Sequence, residues 1–209
     1  MDRRHRRASW PIALALVAIG GVGCAAETHA NGAIGRSSQA PQGPELAIAG
    51  GVPAARGGRA KVPVRFAAHG AAVSGIVLSV DYDSRVLALD PADSDGDGVP
   101  DAVAIRVPAQ FVAIVNFDPQ DRKGEIDIVV QDLLPPLAAI PDGDLLEITL
   151  DVLSTAPTGT TPVRFSRDPS PSFGSTTGAA VAGSFQDGSV EVGELAVPKA
   201  YLPLLKQQD

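Results

Sequence analysis

The sequence predicts an all-β protein built as a sandwich or barrel. Short apolar alternations recur along the chain, and no stretch carries a convincing helical period. Turn signals separate them at spacings of roughly 8–15 residues, giving roughly nine or ten strands. Gly and Pro are abundant, 22 and 18 of 209 residues, which suits a fold rich in turns. Two sheets stacked about 10 Å apart would hide the alternating faces.

Taken in order, Leu46-Ala47-Ile48 is a short strand and Arg56-Gly57-Gly58 a turn. Ala60 to Ala67 puts Val62, Val64 and Phe66 on one face. Pro63 falls on the other phase, which suggests an edge strand or a bulge. From Ser74 to Tyr82, Ile76, Leu78, Val80 and Tyr82 form the buried phase, and Val77, Ser79 and Asp81 point outward. Asp83 can bond its own backbone two residues on, and the chain turns there. Val86, Leu87 and Leu89 resume burial, and an acidic loop follows. Ala102–Val107 and Val112–Phe117 read as strands. Gly124–Asp132 buries Ile126, Ile128 and Val130, and sets Glu125 and Asp127 on the opposite phase. Pro135-Pro136 and Pro141-Asp142-Gly143 break the chain. Asp144–Leu153 buries Leu146, Ile148, Leu150 and Val152, and Thr161–Arg167 and Ser189–Glu194 complete the set.

The ends read differently. Residues 1–24 combine a basic start, Arg3-Arg4-His5-Arg6-Arg7, with an apolar run of about 13 residues and small residues after it, the pattern of a secretory signal. A membrane span needs roughly 20 residues. Cys24, the only cysteine, is either the lipidated first residue of a lipoprotein or is removed by cleavage after Ala26 or Ala30. A lipid on Cys24 is the one membrane attachment expected. Both routes place the product outside a bacterial cell, secreted or on its surface, with no disulfide to support it. Residues 25–43 read as a flexible linker, 44–193 as the domain, and 194–209 as a tail. The tail segment Tyr201-Leu202-Pro203-Leu204 is either a loose end or a sorting or docking peptide. Residues 1–24 carry a net +3, so the rest holds −10 of the overall −7. No basic patch exists to meet nucleic acid.

Asp93, Asp95, Asp97 and Asp101, with Gly96 and Gly98 between them, hold positions 1, 3, 5 and 9 of a loop, and Val99 can offer its carbonyl at position 7. Calcium takes six to eight hard oxygens, and alternate Asp residues on a tight turn supply them. The expected cofactor is structural Ca2+, stapling the excursion between Leu89 and Ala102. Position 12 is Ala104 where an EF-hand requires Glu, and no flanking helix is evident, so the loop is not an EF-hand.

Catalytic chemistry finds no support. His69 is the one histidine of the domain, and no nucleophile motif accompanies it. Glu125, Asp127, Glu147 and Asp151 alternate along strands as solvated faces do. Sugar stacking lacks its usual residues, since Trp10 lies in the leader and only Tyr82 and Tyr201 remain.

The ordered set Arg56-Gly57-Gly58 with Val62-Pro63-Val64, Gly75-Ile76-Val77 into Tyr82-Asp83 and Val86-Leu87, Gly124-Glu125-Ile126 through Asp132, Asp142-Gly143 before Leu145-Leu146, Gly159, and Gly188-Ser189-Val190-Glu191-Val192 resembles the cohesin domain of cellulosome scaffolds, over about Pro44 to Gly193. Ser84 stands where that family usually has Pro, and the acidic loop looks like an insertion. The resemblance implies a jelly-roll β-sandwich of about nine strands in two antiparallel sheets. It also implies a non-catalytic, monomeric module that holds a dockerin-like protein, in a setting of polysaccharide degradation. Val77, Ser79, Asp81, Glu125 and Asp127 are the expected partner-binding residues. A carbohydrate-binding module taking polysaccharide, or a calcium-stabilised structural domain, are the alternative readings.

Overall fold

The computed structural model describes residues 43–118 and 124–194. The expected leader with Cys24, the linker before Gly43 and the tail segment Tyr201-Leu202-Pro203-Leu204 lie outside the described residues. The strands are β1 (Glu45–Ile48), β2 (Val52–Ala55), β3 (Arg59–Ala67), β4 (Val73–Tyr82), β5 (Leu87–Leu89), β6 (Val103–Ile105), β7 (Phe111–Phe117), β8 (Glu125–Asp132), β9 (Gly143–Val152), β10 (Gly159–Phe165), β11 (Ser172–Ser175), β12 (Ala180–Val181), β13 (Ser184–Gln186) and β14 (Gly188–Gly193).

These strands form two sheets. The first runs β13-β1-β3-β9-β5, with β6 pairing β9 on the same side as β5. In the second, β4 has β8 on one side and both β11 and β10 on the other. Beyond β8 lies β7, beyond β11 lies β12, and β10 leads on to β14 and β2. The all-β jelly-roll sandwich expected from the sequence is what the chain forms. It differs in detail. The strands number fourteen among the described residues, and two terminal pairs, β1–β13 and β14–β2, run parallel. The strands beyond the expected set, β2, β11, β12 and β13, are two to four residues long and lie at or beside sheet edges.

The core follows from the period-2 phases. Ile76, Leu78 and Val80 of β4 and Ile126, Ile128 and Val130 of β8 face Val62, Val64 and Phe66 of β3 and Leu146, Ile148 and Leu150 of β9, all of them buried. Each such side chain taken fully from water contributes about 1.5–3 kcal/mol.

Pro63 marks no edge. Its strand, β3, lies between β1 and β9, and the ladder irregularity falls just beyond it, between Val64 and Arg65. Strand β1 has already ended where Pro63 faces it. There the Pro63 carbonyl accepts the Ala49 N–H at 3.0 Å, and the Ala49 carbonyl takes a bond from Ser189 N–H at 3.2 Å instead of from a residue at 63. The missing N–H of proline therefore leaves no acceptor stranded.

Gly124 opens β8 at φ +67°, and its carbonyl accepts the Tyr82 N–H at 2.8 Å. A Cβ there would lie 2.5 Å from the Tyr82 carbonyl oxygen and 2.8 Å from the Tyr82 ring. Gly124→Ala combines backbone strain with a clash against buried groups. It should lower stability by about 2 kcal/mol or more, read as a reduced urea midpoint, whereas Gly51→Ala, strained at φ +66° but in open space, should lower it less.

Candidate binding face and acidic loop

Strand β9 explains the acidic loop. Leu89, the last residue of β5, pairs with Leu150, and Val103, the first of β6, pairs with Ile148. The two ends of the excursion therefore sit two residues apart on one strand. Bonds from Asp101 N–H to the Ala92 carbonyl and from Thr149 N–H to the Ala102 carbonyl, both 2.7 Å, close its neck.

Within the loop, carboxylates cap backbone donors. Asp93 accepts Gly96 N–H at 2.8 Å and Gly98 N–H at 3.0 Å, and Asp101 accepts Ser94 N–H at 3.2 Å. Desolvation pushes the Asp93 carboxyl up, but the donors from Gly98 and Gly96 outweigh it and hold the group below the usual carboxylate range. Gly96 and Gly98 take φ of +75° and +84°, the left-handed conformations that this winding requires. Of the expected calcium ligands, Asp93, Asp95 and Asp101 come together, with carboxylate oxygens all within 4.8 Å of one another. Asp97 stands outside the group, its carboxylate bonded to Val99 N–H at 2.7 Å. The Val99 side chain packs against the core.

The expected partner residues share one face. Across the β4–β8 ladder, Val77 stands opposite Val129, Ser79 opposite Asp127, and Asp81 opposite Glu125. Val77 is 37% exposed, but Ser79 is 1% exposed, which corrects its expected role as a contact. It lies on the outward phase, yet its short side chain sits between β8 and the end of β10 and donates to Asp127 Oδ1 at 2.5 Å. Its place is to hold Asp127. Arg164 of β10 flanks Asp81 on the other side.

The sequence reasoning missed the apolar part of this face. Val112 and Ile114 of β7 align with Gln131 and Val129 of β8 and are exposed, Ile114 at 53%. Leu133 and Leu134 follow β8 and are exposed too, Leu134 at 79%. Their signal was present: Val112–Phe117 is apolar on both phases, so one phase had to meet solvent or a partner. The loop bearing the two leucines is held by Asp132, whose carboxylate accepts Ala138 N–H at 2.6 Å and Leu134 N–H at 3.0 Å.

The outer face of the other sheet is different. Arg59 pairs with Asp151 at 2.9 Å, Arg65 with Asp144 at 3.0 Å, and Lys61 and Arg106 both reach Glu147, at 3.6 and 3.4 Å. Two of the carboxylates set aside as catalytic candidates, Glu147 and Asp151, are thus engaged in cross-strand ion pairs. His69 lies 3.6 Å from Glu45 in a loop.

The family model described as Cohesin domain matches residues 47–192, more than half of the chain. The chain belongs to the cohesin domain family. This cohesin is similar in fold to the seventh ScaB type I cohesin of Pseudobacteroides cellulosolvens, at 20% identity and a TM-score of 0.56, covering 75% of this chain and 96% of that one. It is similar to the Clostridium thermocellum Coh-OlpA–Doc918 complex, described as a type I cohesin–dockerin complex, at 18% identity and a TM-score of 0.54 over 73% and 100%. It is also similar to a non-cellulosomal cohesin of the archaeon Archaeoglobus fulgidus, at 16% identity and a TM-score of 0.53 over 73% and 92%. No curated protein matches the chain.

The donors from Ala138 and Leu134 hold the Asp132 carboxyl below the usual range. A carboxyl depressed on folding lends stability that is complete above its unfolded pKa and drains away as pH falls through the folded one. Asp132→Asn should therefore lower the urea midpoint at neutral pH and shrink the loss of stability on acidification. An acid limb as steep as in the parent protein would contradict this.

Proposed function

We propose that this cohesin is a non-catalytic protein-binding module that holds a dockerin-like partner on the outer face of β4, β8 and β7. The contrast between its two outer faces carries the reading. The β3–β9 face is covered by charged side chains, whereas the β4–β8–β7 face exposes Val77, Val112, Ile114, Leu133 and Leu134, with the polar residues Asp127, Glu125 and Asp81 beside them. An exposed apolar patch rimmed by polar groups is the usual mark of a protein interface. The fold shared with a cohesin solved together with a dockerin supports this partner class. The basic and apolar leader supports an exported module on or outside a bacterial cell, and polysaccharide degradation is the setting the family suggests. Stacking on sugars has less support, because Tyr82 is buried in the core and the described residues include no other Tyr and no Trp.

The test is capture of proteins from the source organism's secreted fraction. A protein held by the parent should be lost, with affinity reduced at least about tenfold, for Leu134→Asp and Val77→Lys. Arg59→Ala on the opposite face should retain it. Equal capture by all variants, or retention on insoluble polysaccharide without any protein partner, would overturn the reading.

The acidic loop belongs to the same proposal as a structural calcium site, with Asp93, Asp95 and Asp101 as carboxylate ligands. Calcium at about 100 times its Kd adds about 2.7 kcal/mol to the native state, a melting shift of several degrees. Chelation should remove that shift, and Asp95→Ala should abolish the response to added calcium. A melting temperature indifferent to both ion and chelator would remove the metal from the account.

A further inference from the structure

Most edges of this sandwich are blunted. Among the described residues, β12 has two residues, β13, β5 and β6 have three each, and β2 has four with Pro53 among them. Short strands and proline are the usual devices against edge pairing. Strand β7 has none of them. It is seven residues long, Phe-Val-Ala-Ile-Val-Asn-Phe, has no charge, proline or glycine, and among the described residues pairs only with β8.

Its peptide groups can be assigned to edges. Phe111 N–H turns back to the Pro108 carbonyl at 3.0 Å instead of joining the ladder. Ser79 gives its carbonyl to Ser166 on the β10 side, so Ser79–Asp127 is a non-hydrogen-bonded pair and Asp127–Asn116 a hydrogen-bonded one. Even-numbered residues of β7 thus bond β8. Ala113 and Val115 direct N–H and C=O to the open edge.

We propose that β7 is a homodimer interface, in which two copies join antiparallel about a two-fold axis at Ile114. The parity fits this register: Ala113 and Val115 of one copy meet Val115 and Ala113 of the other as hydrogen-bonded pairs, and Ile114 meets Ile114 as a non-hydrogen-bonded pair. The sequence is near-symmetric about that centre. Phe111 meets Phe117, and Val112 meets Asn116. A two-fold contact must be complementary to itself, and an uncharged edge brings no like charges together at the axis. Ala113, Val115 and Phe117, half-buried at the rim, gain cover from the second copy. The two β4–β8–β7 faces then continue as one sheet, a bivalent surface, in place of the monomer expected from the sequence. The dimer does not depend on what that face binds.

The experiment uses the full chain. Sedimentation equilibrium across a concentration series should show a reversible dimer. Ala113→Pro deletes an N–H that β8 does not use and is tolerated on an edge. It should weaken self-association about tenfold or more while keeping capture of any protein partner. In a Cys24→Ser background, Ile114→Cys should form a disulfide-linked dimer under mild oxidation. Val112→Cys alone should not, whereas a mixture of Val112→Cys with Asn116→Cys should. The parent remaining monomeric at its highest soluble concentration, or Ile114→Cys and Val112→Cys cross-linking equally, would overturn the proposal.

Discussion

Ile76, Leu78 and Val80 of β4 and Ile126, Ile128 and Val130 of β8 are held against Val62, Val64, Leu146, Ile148 and Leu150 across the gap between the sheets. With Cys24 the only cysteine, no disulfide shares this task, and apolar burial is the interaction on which the remaining features depend. It also sets what each strand can offer outward. Because the side-chain period is two, burying the even residues of β4 and β8 commits Val77, Ser79, Asp81, Glu125, Asp127 and Val129 together to the opposite face. The candidate face is thus a by-product of the core register, and a one-residue slip would lose both.

The two outer faces then diverge by sequence alone. The outward charges of β3 are basic, Arg59, Lys61 and Arg65, those of β9 are acidic, Asp144, Glu147 and Asp151, and cross-strand pairing brings them within 2.9–3.6 Å. Such exposed pairs contribute little stability, but they leave few charges to recruit a partner. On β4, β8 and β7 the outward positions are mixed, and the acidic ones, Asp127, Asp81 and Glu125, lie within the ladder beside Val77, Val129 and Ile114. An interface built there meets an apolar centre, suited to a partner that offers apolar side chains.

The long central strands were legible in the sequence because β3, β4, β8 and β9 alternate cleanly over eight to ten residues. Strands such as β11 (Ser-Phe-Gly-Ser) and β13 (Ser-Phe-Gln) were not, since each holds one apolar side chain and takes its identity from the neighbour it pairs with. The acidic loop was legible as a loop. That its ends meet on β9, two residues apart, is a long-range fact no local spacing encodes. Ser79 shows the same limit on a smaller scale: its phase could be read, but its burial depends on Asp127 and β10, which lie far along the chain. For Asp97, spacing offered a ligand, but the winding of the loop sets its carboxylate against Val99 N–H and outside the group that Asp93, Asp95 and Asp101 form, a placement that spacing does not encode.

Exposing Leu134 is unfavourable for the isolated domain, and the way its loop is held suggests why the chain tolerates it. A free loop would bury its leucines against the nearest apolar surface, and a partner would then have to order it on binding, at about 0.5–1.5 kcal/mol per immobilised side chain. The Asp132 carboxylate, bonded to both Leu134 and Ala138, removes that freedom beforehand. Two leucines held at the end of β8 stay exposed, as Val112 and Ile114 of β7 do, and a partner that used them would not have to order the loop first. The same bonds make Asp132 a charged group on which both the fold and the loop rely, and they keep it ionised to more acid pH than an ordinary carboxylate.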